Sequence, residues 1–463
     1  MNMPLSRPAS LLAARTCLSL LLVATAAQST ELRFGQAFEA ALAHDPSHRA
    51  AAFALDASRL GEPIARAALL PSISLTAAQS AVRGTRSFPN AVNQDVRVRL
   101  DYEAPQANLS ARVPIVNFEG QAALRQAKAE TRVAEEQFRA DGLDLVDRLS
   151  TAYIQLLSAQ ETRRLLSGQV AALETHLTQA ERRQERGEET LVRVAQAQAE
   201  LALGRSRLVD ADSQLAVAKR AMARIVGIEN ASVPRLHDAS APMALSPVAL
   251  TAWFDLAVQS SPLLRLREQS VEVAKAGVRR QKAGHLPRLD AVGSVSQQES
   301  DSISNIGQTS RLRSIGLQVT VPIFNGGGVD ASVKQALARQ SQAEERLRFE
   351  REALLYDVQR LWQGTISGET RVRALGDALR SAALALRGAE RSQEEGQGTA
   401  GQVAEVRASF LRAERELLQS RLDYLQASVQ LQLRSGLSMT QVVGDFDRLW
   451  TQSPGNADSG VTR

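Results

Sequence analysis

The spacing of apolar and polar residues changes in a fixed order along the chain, and that order occurs twice. Apolar residues first recur at helical spacing, up to Pro71 and again up to Pro287. They then alternate with polar residues, which is typical of a β-strand with one apolar face. After Pro114 and after Pro322 the helical period returns, in long stretches without proline. The pattern predicts two modules, each with a helix, two strands, a long helix and a further helix.

Short motifs support a tandem duplication, because each motif of the first half has a counterpart in the second. The separation, about 210 residues, is far longer than a solenoid repeat of roughly 20 to 50 residues. One large module was therefore duplicated. The matching pairs are Ala37–Leu42 with Ala252–Ala257, Leu70–Leu75 with Leu286–Ala291, and Val113–Phe118 with Val321–Gly326.

The prolines and glycines set the expected boundaries. Single first helices are predicted over Phe34–Leu69 and Leu250–Gly284, and Pro71, Pro114, Pro287 and Pro322 are predicted to bound strands of roughly ten residues. The expected domains are a signal peptide (1–26), a first repeat (27–227) with a β-hairpin over 72–116, a linker (228–248), a second repeat (249–452) with a β-hairpin over 288–324, and a disordered tail (453–463).

The last helix of each module carries a heptad pattern. Apolar residues recur every seventh position from Leu201 to Met222, and again from Phe410 to Leu431. A repeat of 3.5 residues predicts helices that pack side by side as coiled coils.

The first 26 residues have the features of a secretory signal peptide. Arg7 and Arg15 precede the apolar run Cys17–Val23, and Ala24 and Ala26 form an A-x-A cleavage site. Cys17, the only cysteine of the chain, would be removed with this segment. We therefore expect an exported protein without disulfides or cysteine-based metal sites.

Composition and charge argue against several functions. The chain has 463 residues, only 4% aromatic residues and a net charge of +5, with Arg and Glu mixed along the same segments. Nucleic-acid binding would call for a basic cluster with interleaved aromatics. His44 and His48 lie one helical turn apart but lack further ligands, and Gly326–Gly328 lacks the Lys-Ser/Thr of a phosphate-binding loop. We expect no catalytic, cofactor or metal site and no nucleic-acid partner.

Two β-hairpins cannot cross a membrane alone, because open strand edges leave backbone groups unpaired in lipid at several kcal/mol each. Four strands are fewer than the minimum of about eight in a bacterial barrel. The chain must therefore oligomerise or remain outside the membrane. Three copies would supply about 12 strands, enough for a barrel with an open lumen.

The duplicated Leu-Pro strand start, the Val-Pro-Ile-x-Asn strand end and the Gly-x-x-Thr break before the last helix resemble the TolC family of outer-membrane efflux proteins, over about Leu32 to Leu449. The resemblance implies an α+β membrane protein: a homotrimer with a 12-stranded β-barrel in the outer membrane of a Gram-negative bacterium, continued by a periplasmic α-helical coiled-coil barrel. It also implies a passive exit duct that docks with an inner-membrane transporter and a periplasmic adaptor. The type I secretion branch is the most similar, with an ABC transporter as pump and a protein toxin as cargo.

The resemblance also assigns roles at the periplasmic tips. The adaptor-docking tips would comprise Gly187, Thr190, Val194, Gly396, Thr399 and Val403. Ordinary turn chemistry alone also explains the glycines. The periplasmic gate would comprise Arg193, Gln402 and Glu405, where two acidic residues of the family pattern are replaced by Gln402 and Arg193. Glu405 would then form a single acidic ring that favours cations, or pair with Arg193, unless both are simply solvated.

Two other functions fit parts of the sequence. A drug or small-molecule efflux duct would share every feature above. A soluble periplasmic coiled-coil scaffold or adaptor would explain the helices but not the paired alternating segments, and an enzyme with a helical-bundle core explains less still.

Overall fold

The computed structural model describes residues 31–89, 92–235, 249–300 and 308–451. The predicted signal peptide with Ala24 and Ala26, the tail 453–463 and much of the linker lie outside them. The helices are α1 Phe34–His44, α2 Pro46–Arg59, α3 Gly61–Ala67, α4 Phe118–Glu185, α5 Leu191–Val226, α6 Leu250–Ser260, α7 Pro262–Ala283, α8 Gly328–Glu394, α9 Ala400–Arg434 and α10 Met439–Thr451. The strands are β1 Ser72–Pro89, β2 Asp95–Asn117, β3 Arg288–Ser300 and β4 Gln308–Thr320.

The first helix of each module is broken, so the expected single helices were wrong. In the first module Asp45 separates α1 from α2, and its carboxylate accepts a hydrogen bond from the His48 N–H at 2.8 Å. Pro46 follows at the first helical position, where a missing N–H costs nothing. Ser261 and Pro262 divide α6 from α7 at the equivalent point, with Pro262 at the first helical position but no cap bond from the Ser261 side chain. Pro46 and Pro262 therefore each mark the start of a new helix, and neither lies in the interior of a longer one.

The four strands form one antiparallel sheet in the order β1-β2-β3-β4, and the β2–β3 pair joins the two modules. Two expectations need correction. β1 and β2 have 18 and 23 residues rather than roughly ten. Pro114 lies inside β2, at a shift in register opposite β3, instead of bounding the strand. A bulge tolerates the proline, which cannot donate to the ladder.

The other three prolines lie close to strand ends. Pro71 and Pro287 immediately precede β1 and β3. Pro322 follows β4, which ends at Thr320, so the second hairpin is shorter than 288–324.

Two very long helices extend the molecule away from the sheet. α4 has 68 residues and α8 has 67, which corresponds to roughly 100 Å each. α5 packs along α4, and α9 packs along α8.

The buried side of α5 confirms the heptad pattern. Its buried residues include Val194, Ala197, Leu201, Gly204, Ala211, Ala218, Met222 and Ile225. The spacing alternates between three and four residues when the half-buried Leu208 and Leu215 are included. Gly204 allows close approach, since a Cβ there would stand 2.9 Å from the Leu173 Cδ1 of α4.

The main core lies where the short helices surround the middle of α4. Phe34, Tyr153 and Phe446 form an aromatic cluster, with ring centroids of Phe34 and Phe446 4.3 Å apart. The Tyr153 hydroxyl donates to the Leu32 carbonyl at 3.1 Å. Phe446 belongs to α10, a helix that we did not predict. In the described part of the chain, no helix combines the length and apolarity needed to span a membrane.

Candidate functional site

One face of the sheet is apolar and exposed. Ile73, Ala111, Gly293 and Ile315 lie side by side across the four strands, as do Leu75, Leu109 and Val295 on the first three. Ile73, Leu75, Ile315 and Leu317 are 70% or more exposed in a single chain. The alternate residues of β3 from Leu289 to Val295 that belong to this face cover roughly 20 Å, comparable with the band of roughly 25 Å on outer-membrane barrels. This face has the character of a lipid-facing surface.

The opposite face is polar. Ser74, Ser110, Ser294 and Ser314 occupy one row across all four strands. The hydroxyls of Ser74 and Ser110 are 2.8 Å apart, as are those of Ser294 and Ser314. Nearer the helices, the buried Asp290 carboxylate forms ion pairs with Arg288 at 3.0 Å and Arg112 at 3.9 Å. Such a face suits a water-filled lumen.

Both outer edges of the sheet are open in the single chain. Within the described ranges, β1 pairs only with β2, and β4 pairs only with β3. An apolar sheet with unpaired edges is unstable in lipid and prone to edge-to-edge association in water. The arrangement requires further strands from outside the chain.

The helical tips at the far end have nearly the same geometry in both modules. Gly187 and Gly396 both adopt φ of 76°, a left-handed conformation that favours glycine. The Glu188 N–H donates to the Arg183 carbonyl, and the Gln397 N–H donates to the Ser392 carbonyl, each at 2.9 Å. These bonds satisfy carbonyl groups at the ends of α4 and α8. The glycines therefore have a structural explanation that is independent of docking.

The two tips differ in their helix caps. The Thr399 hydroxyl accepts a hydrogen bond from the Gln402 N–H at 3.3 Å, whereas Thr190 has no side-chain cap bond. Val194 and Val403 are both 7% exposed in the single chain, so their side chains contribute to the packing of the first turns of α5 and α9. Gly187, Gly396 and both threonines are exposed.

The predicted gate residues lie within the first two turns of α5 and α9 and are exposed. Arg193 forms a long ion pair with Glu189 of its own tip at 3.9 Å. Glu405 has no ion-pair partner among the described residues of one chain. The structure of a single chain therefore does not bring Arg193 and Glu405 together.

Ion pairs join the helices of each hairpin near the tips. Glu174 of α4 pairs with Arg205 of α5 at 2.8 Å, and Glu390 of α8 pairs with Arg407 of α9 at 2.6 Å. These pairs are largely exposed, so each contributes only about 0 to 1 kcal/mol. Among the described residues, no His, Cys, Asp and Glu side chains converge as a metal site would require.

Sequence reasoning missed the serine row and the long reach of the β1–β2 hairpin. The sequence does show that serine and apolar residues alternate along β1, as Ser72, Ile73, Ser74 and Leu75. The pairing of all four serines depends on strand register, which the sequence does not reveal.

A two-faced, four-stranded sheet at one end and two long helical hairpins at the other define a protomer of an outer-membrane channel. The family model described as outer membrane efflux protein matches residues 37–228 and again 253–437, once in each module. The chain belongs to this family, and it is an outer-membrane channel protein.

Relatives and solved structures agree with this assignment. The chain is 28% identical to "Proteases secretion protein PrtF" of Dickeya chrysanthemi, covering 86% of this chain and 87% of the relative. It is also 28% identical to "Alkaline protease secretion protein AprF" of Pseudomonas aeruginosa, covering 86% and 83%. The Campylobacter jejuni CmeC outer membrane channel has a similar fold, with a TM-score of 0.73 at 15% identity, covering 96% of this chain and 98% of that one. The relatives named here are described as secretion proteins and not as enzymes.

Proposed function

We propose that three copies of this chain assemble into a passive exit duct through the outer membrane. The observation that carries this proposal is the sheet, which has an apolar face, a polar face and two open edges. Joining β1 of one copy to β4 of the next would pair every edge and form a barrel of about 12 strands. The apolar faces would then meet lipid, and the serine rows would line the lumen. The long helices would continue the duct into the periplasm.

The cargo that we propose is a protein, exported by a type I secretion system. This rests on the two relatives that are named for protease secretion. In such a system an inner-membrane ABC transporter would supply the free energy, and a periplasmic adaptor would connect it to the duct. A secreted protease or a protein toxin both belong to this class of cargo.

The adaptor would meet the exposed turns at the helical tips, around Gly187, Thr190, Gly396 and Thr399. Beside these turns, the Glu405 residues of the three copies would form a ring of carboxylates around the three-fold axis of the duct. Together with Arg193 and Gln402 they would act as the periplasmic gate. Like charges that converge on an axis repel one another and attract cations. In one chain Glu405 is exposed and free of ion pairs within the described ranges, which supports this role.

Two other functions make different predictions. A drug-efflux duct of the same family would share the structure but change drug sensitivity. A periplasmic scaffold would leave the apolar sheet face exposed to water, which disfavours it.

Deletion of the gene, followed by comparison of secreted proteins and drug sensitivity, separates these functions. We expect one or a few secreted proteins to be lost from the medium, with drug sensitivity unchanged. Complementation with the intact gene should restore secretion. Unchanged secretion together with increased drug sensitivity would overturn the type I assignment in favour of efflux.

A further inference from the structure

The β1–β2 hairpin continues well past the rest of the sheet. Among the described residues, pairing of β2 with β3 begins at Gln106, whereas pairing of β1 with β2 continues without a shift to Pro89 opposite Asp95. The segments 79–89 and 95–105, here called the extension, therefore form a two-stranded ribbon of roughly 35 Å. In the duct proposed above, this ribbon would stand beyond the membrane on the outer side.

The apolar face changes sides at the start of the extension. In the four-stranded region the odd-numbered positions are apolar, as in Ile73 and Leu75 on β1. In the extension the apolar residues lie at even-numbered positions instead, namely Val82, Phe88, Val96, Val98, Leu100 and Tyr102. Ser80 and Arg86 are the polar residues on this face, and Arg86 lies opposite Val98. Because the register between β1 and β2 is continuous, this is a change of the apolar face and not a slip of the strands.

The burial of the extension follows the same division. Val82, Phe88, Val96, Leu100 and Tyr102 are half-buried, and Val98 is 37% exposed. The odd-numbered neighbours Arg83, Thr85, Arg97, Arg99 and Asp101 are exposed. An outward face of arginine and carboxylate suits water and the charged membrane surface, so the apolar side must be covered from the other direction.

The register identifies what lies on that side. Even-numbered positions continue the face that carries Ser74 and Ser110, which is the lumen face of the proposed duct. Val82 and Tyr102 lie only four residues beyond Ala78 and Gln106, the last pair at which β2 also pairs with β3, so their side chains still point inward. A barrel of about 12 strands has a radius of roughly 12 Å, which is much shorter than the ribbon. Three ribbons can therefore reach one another over the mouth.

We propose that the apolar faces of three extensions, one from each copy of the chain, pack together into an apolar collar that narrows the outer mouth of the duct. The apolar face of each extension would thus be covered by the apolar faces of the extensions of the two neighbouring copies. This inference rests on the proposed trimeric duct, and it adds a constriction at the end opposite the periplasmic gate.

Cross-linking between copies tests the collar. In a Cys17→Ser background, Val98→Cys introduces a single thiol on the apolar face, and Arg99→Cys introduces one on the outward face as a matched control. A short bismaleimide should join copies through position 98 and leave position 99 largely unlinked. Equal linking at both positions, or none at position 98, would overturn the collar.

Conductance gives a second readout that does not depend on new thiols. Replacing residues 82–102 with Asn-Gly closes the hairpin between Ala81 and Glu103, which are paired in the sheet, with a favoured two-residue turn. We expect a higher single-channel conductance in planar bilayers, and no change for Arg97→Ser/Arg99→Ser on the outward face. Unchanged conductance in the shortened channel would contradict the collar. If no trimeric channel forms even from the intact chain, the proposed duct itself fails.

Discussion

Gly227, at the end of α5, lies directly against the imidazole ring of His44 at the end of α1. A Cβ at position 227 would stand 2.5 Å from the ring Cγ, and the residue has φ of 73°. The second module repeats the relationship, because a Cβ at Gly436 would stand 2.5 Å from the carbonyl carbon of Ser260, at the end of α6. In both modules the last long helix therefore ends against the end of the first short helix. The duplication read from the sequence extends to this tertiary contact.

The contact predicts that Gly227→Ala destabilises the protein. The new methyl group would meet the His44 ring, and alanine disfavours the left-handed conformation. We expect a loss of roughly 1 to 3 kcal/mol, seen as a lower midpoint of thermal unfolding followed by circular dichroism. Gly168→Ala is the control, because Gly168 lies inside α4 and a Cβ added there would have no other atom within 4 Å. That substitution should be neutral or stabilising by up to about 1 kcal/mol.

The ion pair between Asp45 and Arg148 predicts a pH-dependent contribution to stability. Asp45 is 3% exposed and accepts hydrogen bonds from the Arg148 guanidinium at 3.0 and 3.2 Å. Burial alone would raise the pKa of Asp45, but the Arg148 guanidinium and the N–H of His48 outweigh it and hold that pKa below its usual value. Asp45→Asn preserves the helix cap and removes the charge. We expect it to cost about 1.5 to 3 kcal/mol at neutral pH, because Arg148 is partly exposed and keeps its ion pair with Asp144 at 2.7 Å.

The sign of the pH dependence follows from the lowered pKa. The stabilisation is fully present above the unfolded-state pKa of about 3.9 and is lost as pH falls through the lower folded-state value. Unfolding of the wild type and Asp45→Asn should therefore differ at pH 7 and converge below about pH 4. Asp56→Asn, which removes an exposed pair with Arg59 at 3.5 Å, should have little effect at either pH. A difference that persists unchanged at low pH would rule out this ion pair as its cause.

The two faces of the sheet should respond differently to an introduced charge. Ile315 lies on the apolar face and is 93% exposed, whereas its neighbour Ser314 lies on the polar face. A charged residue on the lipid face of a barrel costs roughly 2 to 4 kcal/mol near the midplane, although less for carboxylates. We expect Ile315→Asp to reduce the amount of protein in the outer membrane and Ser314→Asp to be tolerated. The reverse order would mean that the lumen and lipid faces are exchanged.

The gate proposal predicts that Glu405→Ala lowers cation selectivity in planar bilayers. Removal of three carboxylates near the axis removes the local attraction for cations. Glu416→Ala is the control, because Glu416 is an exposed residue on nearly the same side of α9, roughly 16 Å further from the tip. Arg193→Ala should shift selectivity in the opposite direction. If Glu405→Ala and Glu416→Ala behave alike, Glu405 has no special place at the constriction.

The element order, the duplication and the heptad seam could be predicted because each depends on local periodicity. Leu201 and Met222 lie on the buried side of α5 because a repeat of 3.5 residues keeps one side in contact with a neighbour. We placed Pro46 in the first part of one long helix, where proline is tolerated. We did not distinguish this case from a proline that begins a second helix. The sequence did contain a local signal for α10. Ser438 and Gln441 have the spacing of a capping box, and the apolar residues Val442, Val443 and Phe446 follow at helical spacing. In the structure the Ser438 hydroxyl accepts a hydrogen bond from the Gln441 N–H.

Other features depend on contacts between distant segments. Pro114 was placed at a strand end because proline cannot donate to a ladder, but the bulge opposite Asp290 removes that need. The length of β1 and β2 was underestimated because the apolar face changes sides at the extension. The roles of Glu405 and Arg193 depend on neighbouring copies, which one chain does not contain.

The mass of the native protein, extracted in mild detergent from the outer-membrane fraction, tests the central claim most directly. The account predicts a particle of three chains that is recovered with the outer membrane and dissociates to single chains on heating in SDS. Recovery of a single chain, released with the soluble periplasmic contents, would contradict it.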